Sequence, residues 1–227
     1  MNKLLSSHHG EKAVILCNGP SLNKVDFKLL EHANVFTFGL NKINLLFDKN
    51  TFRPATIVAV NPFVIEQNAE FYNNTNIPLF LNYPGTNWVK LRDNVIFLHS
   101  ARGSTRQFAR NCSISINQGY TVTYVAMQLA FHMGFQQVAL VGCDHSFTSK
   151  GPANKTVTAG ATDPNHFHPK YFADGVEWQL PDLAGSEIHY ETARDIYEQF
   201  DREIVNCTDG GKLEVFPRKS LKDFLES

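Results

Sequence analysis

Apolar residues along this chain fall into short blocks separated by polar, Gly- and Pro-rich punctuation. Residues 13–17 (AVILC), 56–60 (TIVAV) and 137–141 (QVALV) are continuous apolar runs. Runs of that length suit strands buried on both faces. Residues 35–39 (VFTFG), 79–82 (LFLN), 94–99 (NVIFLH) and 203–206 (EIVN) are rich in β-branched or aromatic residues and read as further strands. Between them, 26–32 (DFKLLEH), 62–72, 121–133 (TVTYVAMQLAFHM), 186–200 and 220–225 carry helical spacing. Pro62 stands near the first turn of its helix, and Gly134 reads as the C-cap of the helix before it. The helix over 186–200 opens at Ser186-Glu187 and sets Tyr190, Ala193, Ile196 and Tyr197 on one face. Residues 43–47 are a short helix or a connector.

Strands alternating with helices predict an α/β fold: a single Rossmann-like domain, with a mostly parallel sheet and helices on both faces. No repeat, linker or low-complexity tract divides residues 1–227, which read as one domain. Residues 148–184 stand apart, being long, polar, rich in Gly, Pro, Asn and His, and without periodicity. Such a stretch inside a compact domain is a functional lid or is disordered. Phe167, Tyr171, Phe172 and Trp178 within it favour a lid that packs on something.

Composition narrows the classes. With 43% hydrophobic residues in 227, a core forms without metal or disulfide staples. Lys and Arg number 21 against 22 acidic residues, a net charge of -1, which argues against a general nucleic-acid surface. Cys17, Cys112, Cys143 and Cys207 are scattered without metal-ligand or disulfide-scaffold spacing, so free thiols in a reducing compartment are expected. The start MNKLLSSHHG has no long apolar stretch, and no later run spans a bilayer. The expectation is a soluble, cytoplasmic protein. Peripheral contact with the inner membrane face and homo-oligomerisation stay open.

Candidate chemistry gathers where strands end. The first strand runs into Asn18-Gly19-Pro20-Ser21, a small-residue turn of the kind that presents backbone N–H groups to phosphate. Ser21 there is either a cap or a phosphate ligand. The second strand is followed by Asn41, the third by Asn61, and QVALV by Gly142, Asp144 and His145. In open α/β sheets ligands bind beyond these ends. Amides that both donate and accept suit a base, a ribose and a phosphate; each Asn alone is equally suited to cap a helix. Gly119 precedes the most apolar helix, whose first amides can hold an anion, with Thr121 and Thr123 as ordinary caps. Asp144 fits ribose hydroxyls, a divalent ion, the orientation of a base, or a turn cap. His166 and His168, in the Asn165-His166-Phe167-His168 stretch of the lid, fit a general base near neutral pH or a phosphate contact. The HxH spacing of His166 and His168, with Asp144 and His145, permits a metal site, but no further ligand has diagnostic spacing and none is assigned. Lys212 and Arg218 follow a Gly210-Gly211 turn and suit a phosphate, an acidic sugar or plain solvation, and Arg102, Arg106 and Arg110 have the spacing of one helix face.

The order of these residues resembles that of a known family. NGPSL, Asn41, Asn61 in VNP, the helix led by Gly119, and Gly142-Cys143-Asp144 are similar to the bacterial sialyltransferases of glycosyltransferase family 42. The chain resembles still more closely the wider family of motility-accessory-factor flagellin glycosyltransferases and archaeal 6-hydroxymethylpterin diphosphokinase-like proteins. There the stretch GYTVTYVAMQLAFHMGFQQVALVGCDHSF is similar over its whole length. The likeness runs over residues 13–147 and more loosely beyond.

The resemblance implies a Rossmann-like domain that takes a CMP-activated nonulosonic acid and a glycan or protein acceptor. It implies Asn18, Gly19, Ser21, Asn41 and Asn61 on the nucleotide side, Gly142 and Asp144 at the cytidine or ribose, and a lid histidine as base, with no cofactor required. The chain departs from the sialyltransferases in having Asn117-Gln118 before Gly119, and His145, Ser146 and Phe147 after Asp144. The spacing of its lid histidines also differs, so His166 and His168 both remain candidates. The alternatives are a diphosphokinase using ATP and Mg²⁺, with Asp144 and Asp163 as ligands, and a non-catalytic nucleotide- or glycan-binding module.

Overall fold

The computed structural model describes residues 1–101 and 106–227. In chain order the elements are β1 (Lys12–Leu16), α1 (Phe27–Ala33), β2 (Phe36–Leu40), β3 (Thr56–Ala59), α2 (Pro62–Gln67) and α3 (Ala69–Asn74). Then come β4 (Leu79–Asn82), β5 (Val95–Leu98), α4 (Val122–Met133), β6 (Gln137–Val141), β7 (Thr156–Thr158) and β8 (Glu177–Gln179). Helix α5 (Leu183–Gln199), β9 (Glu203–Asn206) and α6 (Leu221–Glu226) complete the chain. Seven strands form one parallel sheet in the order β5-β4-β3-β2-β1-β6-β9. This is an α/β, Rossmann-like fold. Strands β7 and β8 form a separate antiparallel ribbon.

Alternation along each strand sorts the two faces. Ala13, Ile15, Phe38, Leu40, Val58, Val138 and Leu140 point to one side, with α4 and with Tyr190, Ala193 and Tyr197 of α5. Val14, Leu16, Ile57, Ala59, Leu79, Leu81 and Val141 point to the other, against α1, α2, α3 and α6. Both faces are covered, which is why the central strands read as unbroken apolar runs. Helix α4 is buried nearly all round and carries one fully buried amide, Gln128. Its Oε1 accepts from the Ala109 and Asn117 N–H groups at 2.9 and 3.0 Å, and its Nε2 donates to the Asn117 and Tyr124 carbonyls. That side chain ties down the strap leading into α4.

Several elements differ from expectation. The helix over 62–72 is two helices, because Asn68 leaves helical geometry (φ -112°) and donates its side chain to Asn44 Oδ1. The helix expected from Ser186 starts at Leu183, with Asp182 as its cap accepting from the Gly185 N–H; Ser186 lies in its first turn. The turn after β1 enters a 3₁₀ segment, Pro20–Lys24, ahead of α1, which Asp26 caps. Arg106 and Arg110 lie in irregular chain, and Arg102 is outside the described residues, so no helix face gathers them.

At the pole where strands begin, the Lys12 ammonium donates to carbonyls of Phe224 and Ser227, and His132 at the end of α4 meets the Met1 carbonyl. Both termini therefore sit there. Gly134 closes α4 in the left-handed region (φ +97°), with Ser6 Cα 3.0 Å from where a Cβ would stand. Gly134→Ala should cost about 1–2 kcal/mol, read as a lower urea midpoint at unchanged slope. An unshifted midpoint would show that the cap is not under this constraint.

Candidate active site

The chain moves outward from β1 to β5, then crosses back to place β6 on the other side of β1. Beyond the carboxyl ends of the strands flanking that reversal lies a cleft of about 570 Å³, the place where open α/β sheets hold ligands. Asn18, Gly19, Asn41, Asn61, Gly119, Gly142, Asp144, His145 and His166 all line it. Ser21 and His168 do not.

The turn after β1 spends its donors on the protein. Gly19 N–H donates to the Gly142 carbonyl at 2.9 Å, and Ser21 donates to Asp144 Oδ2 from its N–H (3.1 Å) and its hydroxyl (2.7 Å). Pro20 has no N–H. The Gly19 and Ser21 N–H groups expected at a phosphate are thus engaged within the protein, and Asp144 Oδ2 anchors Ser21. A Cβ on residue 19 would lie 2.0 Å from Asp144 Oδ2 and 2.7 Å from the Gly142 carbonyl. Gly19 is therefore required by the approach of one strand end to the next. Asn61 is likewise engaged: Oδ1 caps α2 by accepting from the Phe63 N–H, and Nδ2 donates to Gln179 Oε1 on β8. Thr121 caps α4 through its hydroxyl, the ordinary role expected for it.

Unspent polarity is concentrated in the cleft. Among the described residues five buried side-chain atoms lack a partner, and four belong to residues lining it: Asn18 Oδ1, Asn41 Oδ1, His145 Nε2 and the Tyr171 hydroxyl. Orphaned buried polar groups are costly unless a ligand or water completes them. Asn18 otherwise donates Nδ2 to the Leu40 carbonyl. Backbone strain falls in the same place, since Asn41, Tyr120, His145 and Asn154 are non-glycine residues with φ between +48° and +63°. Strain of this kind persists where surrounding structure enforces it, often at functional sites.

Residues 148–182 fold over the opening. The Phe167 N–H donates to the Asn18 carbonyl and Asn23 Nδ2 to the Phe167 carbonyl, at 2.9 and 2.8 Å. Phe167, Tyr171, Phe172 and Trp178 pack into the core, as the aromatic content led us to expect. This bracket sets the neighbouring His166. Its Nδ1 lies 2.7 Å from Asp163 Oδ2, and its ring stacks on Tyr171 at 4.0 Å and 3°. Burial raises the Asp163 pKa, but His166 and the Asn165 and Phe172 N–H groups outweigh it, so the carboxyl stays below its ordinary value. His166 Nε2 makes no hydrogen bond with the described residues. His168 instead lies outside the cleft, its Nδ1 accepting from the Lys170 N–H at 3.2 Å. Burial, Lys49 and Lys170 lower its pKa against the opposing pull of Asp48. Of the two lid histidines the structure brings His166 to the cleft and leaves His168 outside it.

The carboxylates do not fit a Mg²⁺ ion. Asp163 spends both oxygens on His166 and two N–H groups, and Asp144 spends one on Ser21. Among the described residues no three His, Cys, Asp or Glu side chains are placed to hold a metal.

The model for the family described as 6-hydroxymethylpterin diphosphokinase MptE-like matches residues 1–150. The chain belongs to this family. The match ends before the segment that carries Asp163 and His166. No curated protein matches the sequence. Among solved structures, the MAf glycosyltransferase from Magnetospirillum magneticum AMB-1 is similar in fold, with a TM-score of 0.59 and 17% identity. That likeness covers 95% of this chain and 35% of the other, so the chain spans about a third of that protein's length. Among the described residues no helix is long and apolar enough to cross a membrane.

Glu187, Tyr171 and Lys42 were not read from the sequence as polar parts of this site, and Asp163 was read only as a Mg²⁺ ligand, not as the partner of His166. The three-residue step from Asp163 to His166 was the available signal for that pairing. Lys42 offered none: its buried ammonium donates to the Tyr171 carbonyl (2.8 Å) and Gln67 Oε1 (2.7 Å) and lies over the Phe172 ring. Burial lowers its pKa to about 8, against the attraction of Asp163. Because that value lies below the usual 10.5, the unfolded chain holds more protons between them, and stability from Lys42 rises with pH through this window. The advantage of wild type over Lys42→Met in urea unfolding should grow as pH rises from about 8 to 10.5. Limited proteolysis within 148–182 should be faster in the variant. Equal proteolysis and a flat pH difference would show that Lys42 does not hold the lid.

Proposed function

We propose that the protein is a glycosyltransferase that moves a nonulosonic, sialic-type sugar from a CMP-activated donor to a hydroxyl of a glycan or protein. The reading rests on one observation: His166, backed by Asp163, stands in the wall of a strand-end cleft lined by unpartnered amide oxygens. Asp163 accepts from Nδ1, which fixes the neutral tautomer with its lone pair on Nε2. The acceptor oxygen attacks the anomeric carbon and its proton passes to Nε2. The bond from that carbon to the phosphate oxygen breaks, and its electron pair leaves with CMP. Asn18 Oδ1 and Asn41 Oδ1 require donors, which a nucleobase amino group and ribose hydroxyls supply.

The fold likeness to a protein named as a glycosyltransferase supports the same reading. The family description suggests diphosphate transfer from ATP instead, a reaction that relies on divalent ions. The carboxylates of this cleft are committed elsewhere, which weighs against that second reading.

His166→Ala should lower kcat by about 10²–10⁴-fold in a transfer assay over CMP-activated sugars, with CMP affinity by calorimetry changed less than about threefold. Asn41→Ala should weaken CMP binding by about tenfold, the value of roughly one hydrogen bond. Full turnover in His166→Ala would remove the base. Product formed only from ATP, Mg²⁺ and 6-hydroxymethylpterin would replace the glycosyl reading with the diphosphokinase one. Ligand binding without any turnover would leave a binding module.

A further inference from the structure

An activated nucleotide brings phosphate, and among the described residues no Lys or Arg lines the cleft. In the turn after β1 the Gly19 and Ser21 N–H groups are spent on Gly142 and Asp144. What the cleft does offer is the first amides of α4, beside Gly119 and Tyr120, and three histidines. His166 gives Nδ1 to Asp163, and His189 Nδ1 is bonded to the Gly185 carbonyl. His145 differs from both. It follows β6 directly at the reversal point, in a left-handed conformation (φ +50°) that a histidine adopts only at a cost. Its side chain is 7% exposed, and its Nε2 lies 3.1 Å from Glu187 Oε1 of α5, at an angle that makes no hydrogen bond. Nδ1 is bonded to no described residue.

We propose that His145, seated against Glu187, is the residue that brings positive charge to the phosphate of the nucleotide as the sugar leaves. The inference rests on the glycosyltransferase reading and adds the group that receives the leaving charge. When the sugar–phosphate bond breaks, its electron pair stays on a phosphate oxygen. An imidazolium facing that oxygen offsets the new charge where it develops. Glu187 holds the imidazolium by ion pairing, so the proton taken up with the ligand has a place to stay. The other titratable groups around the ring are Tyr190 of α5, 6.0 Å away between centroids, and its chain neighbours Cys143 and Asp144. Lys212, whose N–H bonds the Asp144 carbonyl, has an exposed side chain. Burial holds the His145 pKa down in the free protein, with Glu187 opposing it. Binding of phosphate should therefore draw a proton in, and affinity should fall as pH rises.

The test is calorimetry of CMP and cytidine against wild type, His145→Gln, Glu187→Gln and Arg102→Ala, at pH 6 and pH 8. Wild type should prefer CMP over cytidine by at least about tenfold at pH 6 (~1.4 kcal/mol), with proton uptake seen as a dependence of heat on buffer. In His145→Gln that preference should fall to about threefold or less and lose its difference between the two pH values. Cytidine affinity should stay within about twofold. The titration of CMP itself is common to all variants and cancels. Glu187→Gln should keep the preference at pH 6 and lose most of it by pH 8. A His145→Gln protein that retains the wild-type ratio overturns the proposal, as does collapse of the ratio in Arg102→Ala alone. If wild type binds ATP and adenosine but neither CMP nor cytidine, the CMP reading fails. The same comparison with that pair then decides the role of His145 separately. Binding of no nucleotide at all overturns both.

Discussion

The site depends on one junction, the tie between the ends of β1 and β6. Cys17 N–H on the Val141 carbonyl and Gly19 N–H on the Gly142 carbonyl carry the contact past the end of β1, and Asp144 then accepts from Ser21 twice. The two chains come so close that only a glycine fits at position 19. Everything beyond is hung from this knot. His145 is the next residue after Asp144. The Asn18 carbonyl, one residue before Gly19, holds Phe167 and through it His166. A hydrogen-bonded group inside a low-dielectric interior is strong when complete and costly when broken. The two candidate proton-handling residues therefore share a single foundation, although they lie on segments more than twenty positions apart.

The cleft is unusual in carrying its polarity mostly on neutral amides and imidazoles. Its carboxylates are Asp144, held by Ser21, and two at its edges, Asp163 with His166 and Glu187 with His145. Each edge carboxylate serves a ring. Pairs like these let proton positions respond to what enters, because imidazole changes charge near neutral pH. Aromatic rings from the covering segment, with Tyr171 flat against His166, pack behind that ring. The Lys42 ammonium beneath them supplies the opposite charge to Asp163 at longer range.

Much of this was legible in the chain. Period and composition located the strands of the main sheet, since strands covered on both faces have no choice but to be apolar throughout. That placed Asn18, Asn41, Asn61 and Asp144 around one hollow. What each does there was not legible, because an amide or carboxylate at a strand end has the same sequence signature whether it meets a ligand or its neighbour. Asn61 proved to be a cap and a lid contact, Ser21 a strut, and Asp144 a partner of Ser21. The choice between His166 and His168 turned on which ring faced Asp163, a matter of side-chain direction in a segment without periodicity. The break at Asn68 came from a pairing with Asn44 across space, which no local propensity encodes.

The termini have a practical meaning. Met1 and Ser227 are both held at the pole where β1 begins, by His132 and Lys12, while the hollow opens at the far ends of the strands. A purification handle, surface tether or fused partner joined at either terminus thus projects away from the mouth. Immobilised protein keeps its entrance facing solution, and a fluorophore at either end reports tumbling without crowding the bound molecule.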